Sequence, residues 1–126
     1  MKAVLLVALG GGLGSALRYQ IGLWTLRSSE LVRFPIGTLL INVVGCFLVG
    51  LLWVWVERSN AWSGELRLAL MVGFLGGFTT FSAFGLETFL ILKRGAAGTA
   101  LTYAGLSLVF GCLAVWLGYL LGGGRG

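Results

Sequence analysis

Three long stretches without a formal charge organise the chain: residues 34–56, 68–86 and 95–124, of 23, 19 and 30 residues. Each reaches the roughly 18 consecutive apolar positions that signal a membrane-crossing helix. A fourth apolar stretch opens the chain and is interrupted only by Arg18. The pattern predicts four spans over residues 3–24, 35–56, 65–92 and 97–121. Pro35 falls at a helix start, where its missing N–H costs nothing. A 22-residue helix is about 33 Å long, enough to cross a hydrocarbon core. The connections 25–34, 57–64 and 93–96 are short, so residues 1–126 read as one four-span domain with a glycine-rich frayed tail. Met1-Lys2, the apolar run behind them and Gly14-Ser15-Ala16 imitate a cleaved secretion signal. Cleavage would leave an odd number of spans, so the first is expected to be retained.

Composition points the same way. Of the residues, 58% are hydrophobic and 10% charged, against about a quarter charged in a soluble domain. The fold class expected is an all-α, multi-pass membrane protein of the cell membrane, the inner one where a cell has two. The net charge of +5 is dispersed as single or paired Lys and Arg between apolar stretches, suited to headgroup anchoring rather than to nucleic acid. Cys46 and Cys112 lie inside apolar runs, and the sequence has no His, no Asp and no Cys-x-x-Cys pair. It offers neither a zinc or redox site nor the base and nucleophile of an enzyme.

With four spans, one side of the membrane receives Lys2, Arg58, Arg67 and Arg125, and the other Arg27, Arg33, Lys93 and Arg94. An excess of cations on the cytoplasmic side normally fixes orientation; here four oppose four. Both orientations are expected to occur, which permits an antiparallel homodimer with its two-fold axis in the membrane plane. The alternative is one topology fixed by something other than charge count.

Polar groups within spans usually face other helices or a pathway. In the first span Gly11, Gly14, Ser15, Arg18 and Gly22 recur at helical spacing, as in small-residue helix contacts. Arg18 either snorkels as an interfacial anchor or faces inward and attracts anions beside an aqueous vestibule. In the second span Thr38, Asn42, Gly45 and Val49 share a face. Asn42 fits both a helix-to-helix hydrogen bond and a donor in an ion path. In the fourth, Tyr103, Ser107 and Gly111 form a weakly polar track that packing alone also explains.

The third span carries most information. Gly76-Gly77 followed by Thr79-Thr80 interrupts an apolar helix. Glycine weakens helices, and threonine hydroxyls compete for backbone groups, so a break is expected between Gly76 and Thr80. At membrane depth, released carbonyls are cation ligands, whereas freed N–H groups and the dipole of the following half-helix favour an anion. The competing reading is an unbroken helix whose glycines pack. Phe78, Phe81 and Phe84 follow at i+3 steps; such a stripe is ordinary packing, or it turns positive ring edges toward a small anion. Thr80 and Ser82 supply hydroxyls beside them. Glu87, near the end of the apolar run, is expected to reach water or a partner.

Three blocks, GGLGSALRY over 11–19, GTLLINVVGCFLVG over 37–50 and above all GFLGGFTTFSAF over 73–84, resemble the small fluoride channels of bacteria, the Fluc or CrcB family. The similarity spans essentially the whole chain. It implies a dual-topology homodimer that passively exports cytoplasmic fluoride, strongly excluding chloride, through two pathways at the subunit interface. It also implies a central structural sodium ion held by the main-chain carbonyls of Gly76 and Thr79 of both subunits. By the same resemblance Phe81 and Phe84 match the pore-lining phenylalanines, and Asn42 and Ser82 match polar pore residues. Thr38, Thr80, Tyr103 and Ser107 extend the polar track, and Arg18 matches the vestibule arginine. Fluoride holds water tightly, so a pore must replace that shell with convergent donors.

Two other classes compete. A small proton-coupled multidrug exporter also has four short spans, but needs a membrane-embedded carboxylate that the first span lacks. A structural membrane subunit would use the glycines and Asn42 for assembly only.

Overall fold

The computed structural model describes residues 1–28, 34–58 and 63–125; Arg33 lies outside them. Helix α1 covers Lys2–Ser28 and α2 Ile36–Arg58. The third span starts as α3, residues 64–78, and resumes after a break as α4, Phe81–Lys93. Helix α5 is Ala97–Leu121. Among the described residues four helical spans are long and apolar enough to cross a membrane, and the protein is a multi-pass membrane protein.

Helix α1 runs beyond the expected end at Trp24, because Thr25-Leu26-Arg27-Ser28 contains no helix breaker. Pro35 stands one residue before α2, where its carbonyl accepts the Leu39 N–H at 3.2 Å. Ser63 caps α3 by accepting the Leu66 N–H at 3.2 Å. Helix α4 ends at a glycine in the left-handed region, Gly95, with φ of 77°. There the Ala96 N–H reaches the Ile91 carbonyl at 3.2 Å and the Gly95 N–H reaches Leu92 at 2.9 Å, the paired bonds of a Schellman stop.

Small residues set the packing. A Cβ on Gly10 would meet the Ala69 carbonyl, one on Gly14 the Phe74 carbonyl, and one on Gly73 would lie 2.9 Å from the Val7 carbonyl. Helix α1 and α3 therefore run side by side in the same direction, backbone against backbone. Helices α2 and α5 pair likewise: Gly50 abuts the Val115 carbonyl and Gly118 the Phe47 carbonyl. Both pairs use the close small-residue approach that substitutes for hydrophobic drive inside a membrane. Residues 68–75 of α3 are wound as a π-helix, a feature without a sequence signal. On the far side of the break, Ile91, Ala100 and Tyr103 form a core against which Phe34, Leu39 and Phe84 pack.

The break is narrower than expected. Gly76 and Gly77 remain helical, and the chain is extended only at Thr79 (φ −81°, ψ 159°) and Thr80 (φ −149°, ψ 115°). Gly77 serves contact instead of breakage: a Cβ there would lie 2.9 Å from Gly11 Cα. The threonines break the helix with their own side chains. Thr79 Oγ1 donates back to the Leu75 carbonyl at 2.9 Å, and Thr80 Oγ1 accepts the Ala83 N–H at 3.2 Å, capping α4.

The broken third span as candidate functional site

Asn42 on α2 faces the break. Its Nδ2 donates to the Thr80 carbonyl at 3.0 Å while its Oδ1 accepts the Thr80 N–H at 2.8 Å. The two partners fix the amide's orientation, since a peptide N–H meets only the oxygen and a peptide carbonyl only the nitrogen. Gly45, one turn on, leaves room for the Thr79 methyl, which a Cβ there would strike. The two bonds use one N–H and one lone pair of the half-buried Asn42 amide and leave its second N–H available.

Across the break, the Gly77 carbonyl accepts from Ser15 Oγ at 3.3 Å and Arg18 Nε at 3.1 Å. Arg18 is thus tied to the third span rather than merely anchored at an interface, and it sets a cation at the negative, C-terminal end of α3. The positive, N-terminal end of α4 begins three residues later. Among the described residues, no donor meets the carbonyls of Gly76 and Thr79.

Phe81 is 84% exposed, although its ring lies 5.5 Å from that of Phe84. Phe84 in turn packs on Tyr103 with centroids 5.2 Å apart. The Ser82 and Thr80 hydroxyls are 3.3 Å apart. Thr38 and Tyr103 come together on Glu87, expected to reach water or a partner and found with two partners: it accepts from Thr38 Oγ1 at 2.6 Å and from Tyr103 Oη at 2.7 Å. The carboxylate thereby joins α2, α4 and α5. The available signal was depth, because Thr38, Glu87 and Tyr103 all lie within about two turns of the same end of the four-span bundle. Ser107 is not joined to this cluster and donates to the Tyr103 carbonyl of its own helix at 2.8 Å.

A cleft of about 820 Å³ has Arg18, Thr38, Thr80, Glu87 and Arg94 in its wall, while Asn42, Phe81, Ser82, Phe84, Tyr103 and Ser107 lie outside its lining. It is open at the end where α1 finishes and α2 starts. Its wall holds two cations, several hydroxyls and, among the described residues, one carboxylate already occupied by two donors.

Residues 5–119 match the family described as CrcB-like protein, Camphor Resistance (CrcB). The chain belongs to the CrcB family. It is 52% identical over 123 residues, 98% of this chain and 95% of the relative, to a Thermus thermophilus protein named fluoride-specific ion channel FluC. Proteins of the same name from Acidobacterium capsulatum and Methylobacillus flagellatus are 48% and 44% identical, over 92% and 96% of this chain and 92% and 94% of theirs. Nearly the whole of this CrcB chain is therefore aligned, including the break, the α1 residues that hold it and Asn42.

Proposed function

We propose that the chain is one subunit of a fluoride-selective channel, an antiparallel homodimer that lets cytoplasmic fluoride leave passively through two pathways at its interface. The break at Thr79-Thr80 carries the reading, because Asn42 holds it with a lone N–H left to offer an anion. Thr80 and Ser82 supply hydroxyls beside that donor, and Phe81 and Phe84 supply ring edges. Thr38, Tyr103 and Ser107 continue the track, each turning a hydroxyl from its present acceptor to the passing ion. Arg18 and Arg94 raise the local anion concentration in the cleft, the vestibule of each path.

The surface that the break presents supports a second copy. Gly76 is exposed and its carbonyl meets no donor among the described residues. Irregular backbone facing lipid costs several kcal/mol per unpaired group, and protein must cover it. The exposed Phe81 adjoins it, and the balanced Lys and Arg count supports a partner inserted in the opposite sense.

The carbonyls of Gly76 and Thr79 suit a structural sodium ion. They are hard, neutral oxygens free of internal hydrogen bonds, and two copies would present four of them. No acidic cluster competes for the role among the described residues. Bound there, sodium supplies a fixed positive charge between the two paths.

The test is purified protein in liposomes loaded with potassium fluoride or potassium chloride. Fluoride efflux with chloride retained is expected. Retention of both ions, or equal loss of both, overturns the reading.

A further inference from the structure

We infer that Ser15 and Arg18 are positioning residues for the broken span: by holding the Gly77 carbonyl they select which peptide oxygens of the break stay open to a cation. The inference rests on the sodium reading above.

Carbonyls in the last turn of an α-helix lose their donors together. Gly76 would have accepted from the Thr80 N–H, which instead bonds Asn42 at 2.8 Å. Gly77 would have accepted from residue 81, the first of α4. Without further help the end of α3 would present a row of equivalent oxygens. It does not, because Arg18 Nε at 3.1 Å and Ser15 Oγ at 3.3 Å converge on the Gly77 oxygen. Those two bonds occupy both of its lone pairs. The oxygens of Gly76 and Thr79 keep theirs.

The arrangement is built into one face of α1. Gly11, Ser15 and Arg18 follow at i, i+4 and i+7, and a Cβ on Gly77 would lie 2.9 Å from Gly11 Cα. The glycine contact brings the two backbones together, and the next two residues on the same face reach the carbonyl. Arg18 acts here through its Nε–H at 3.1 Å, a donor that an uncharged side chain can replace. Glutamine carries its amide nitrogen on Cδ, the atom that bears Nε in arginine, so Arg18→Gln keeps a donor near that place and removes the charge.

The experiment is a sodium titration against N-methylglucamine of wild type, Ser15→Ala, Arg18→Met and Arg18→Gln, read as fluoride efflux from liposomes and as the sodium-dependent rise in melting temperature of the purified protein. Loss of a carbonyl clamp raises the half-saturating sodium about tenfold in Arg18→Met and about threefold in Ser15→Ala, in both readouts, while Arg18→Gln stays within about threefold of wild type. Equal sodium curves for all four proteins overturn the inference. So do Met and Gln variants that shift together, which would mark a charge effect. Should Arg18→Met not assemble, Ser15→Ala, a loss of one oxygen, still decides. A wild type indifferent to sodium in both readouts defeats the sodium reading itself, a result distinct from unchanged variants of a sodium-dependent wild type.

Discussion

Asn42 and Thr80 exchange two hydrogen bonds in opposite senses, 3.0 Å from the side-chain nitrogen to the carbonyl and 2.8 Å from the peptide N–H to the side-chain oxygen. A side-chain amide thus takes the place of the peptide partner that Thr80 lost when the helix broke. One residue holds the irregular backbone in place and keeps a second N–H beside it, the donor that the proposed channel would offer to fluoride. Asn42→Asp removes the donor and sets two acceptors against the Thr80 carbonyl; fluoride efflux from liposomes should fall at least about a hundredfold. Asn42→Ala strands two backbone groups, each costing about 1–3 kcal/mol, and should lower the melting temperature as well as the flux.

Phe81 and Phe84 separate function from stability. Phe81 is 84% exposed within the subunit, so Phe81→Ile should leave the fold intact and suppress fluoride flux. Phe84 packs on the buried Tyr103 with centroids 5.2 Å apart. Phe84 is half-buried, so Phe84→Ala should cost about 2 kcal/mol of stability, below the range for fully buried aromatic truncations. Flux and melting measured on both variants check the division; a Phe81 variant with full flux refutes its assignment.

The glycine contacts make a sharper comparison. A Cβ on Gly14 would strike the Phe74 carbonyl, whereas one on Gly12 meets nothing within 4 Å. Gly14→Ala must push α1 from α3 and should destabilise by about 2 kcal/mol or more, as overpacking does. Gly12→Ala, at an open helical position, should be neutral or stabilising by up to about 1 kcal/mol. Thermal unfolding in detergent of the two single variants tests both.

What the pattern of residues made legible follows from how each feature is encoded. Four spans were readable because crossing a bilayer demands long apolar runs, and only a few residues at each end differ from the expected bounds. Near Gly76 to Thr80 the sequence announced a break and offered two agents, the glycines and the threonine hydroxyls, without ranking them. Gly76 and Gly77 weaken a helix in principle, yet Gly77 is held helical by its contact with Gly11, and the β-branched, hydroxyl-bearing Thr79 and Thr80 carry the extension. The partners of Arg18 and Glu87 were hidden because both depend on which helices lie side by side. Periodicity ranks faces within a helix and says little about their neighbours. The π-wound residues 68–75 have no compositional mark at all.

Glu87 joins three helices through two short bonds, 2.6 Å from Thr38 and 2.7 Å from Tyr103. Tyr103 is fully buried, so removing its carboxylate acceptor leaves the hydroxyl cut off from water. Glu87→Ala should destabilise by about 2 kcal/mol, Tyr103→Phe by about 1–2, and the double variant by less than their sum, because bonds to charged acceptors contribute about 1.5–3 kcal/mol. Glu87→Gln keeps the shape but offers only one acceptor oxygen, so one of the two hydroxyls must turn away. If the track reading of Thr38 and Tyr103 is right, the freed hydroxyl becomes a donor for the ion, and Glu87→Gln should conduct fluoride at least as fast as wild type despite its lower melting temperature. A variant that loses stability and flux in the same proportion would show instead that Glu87 only braces the bundle.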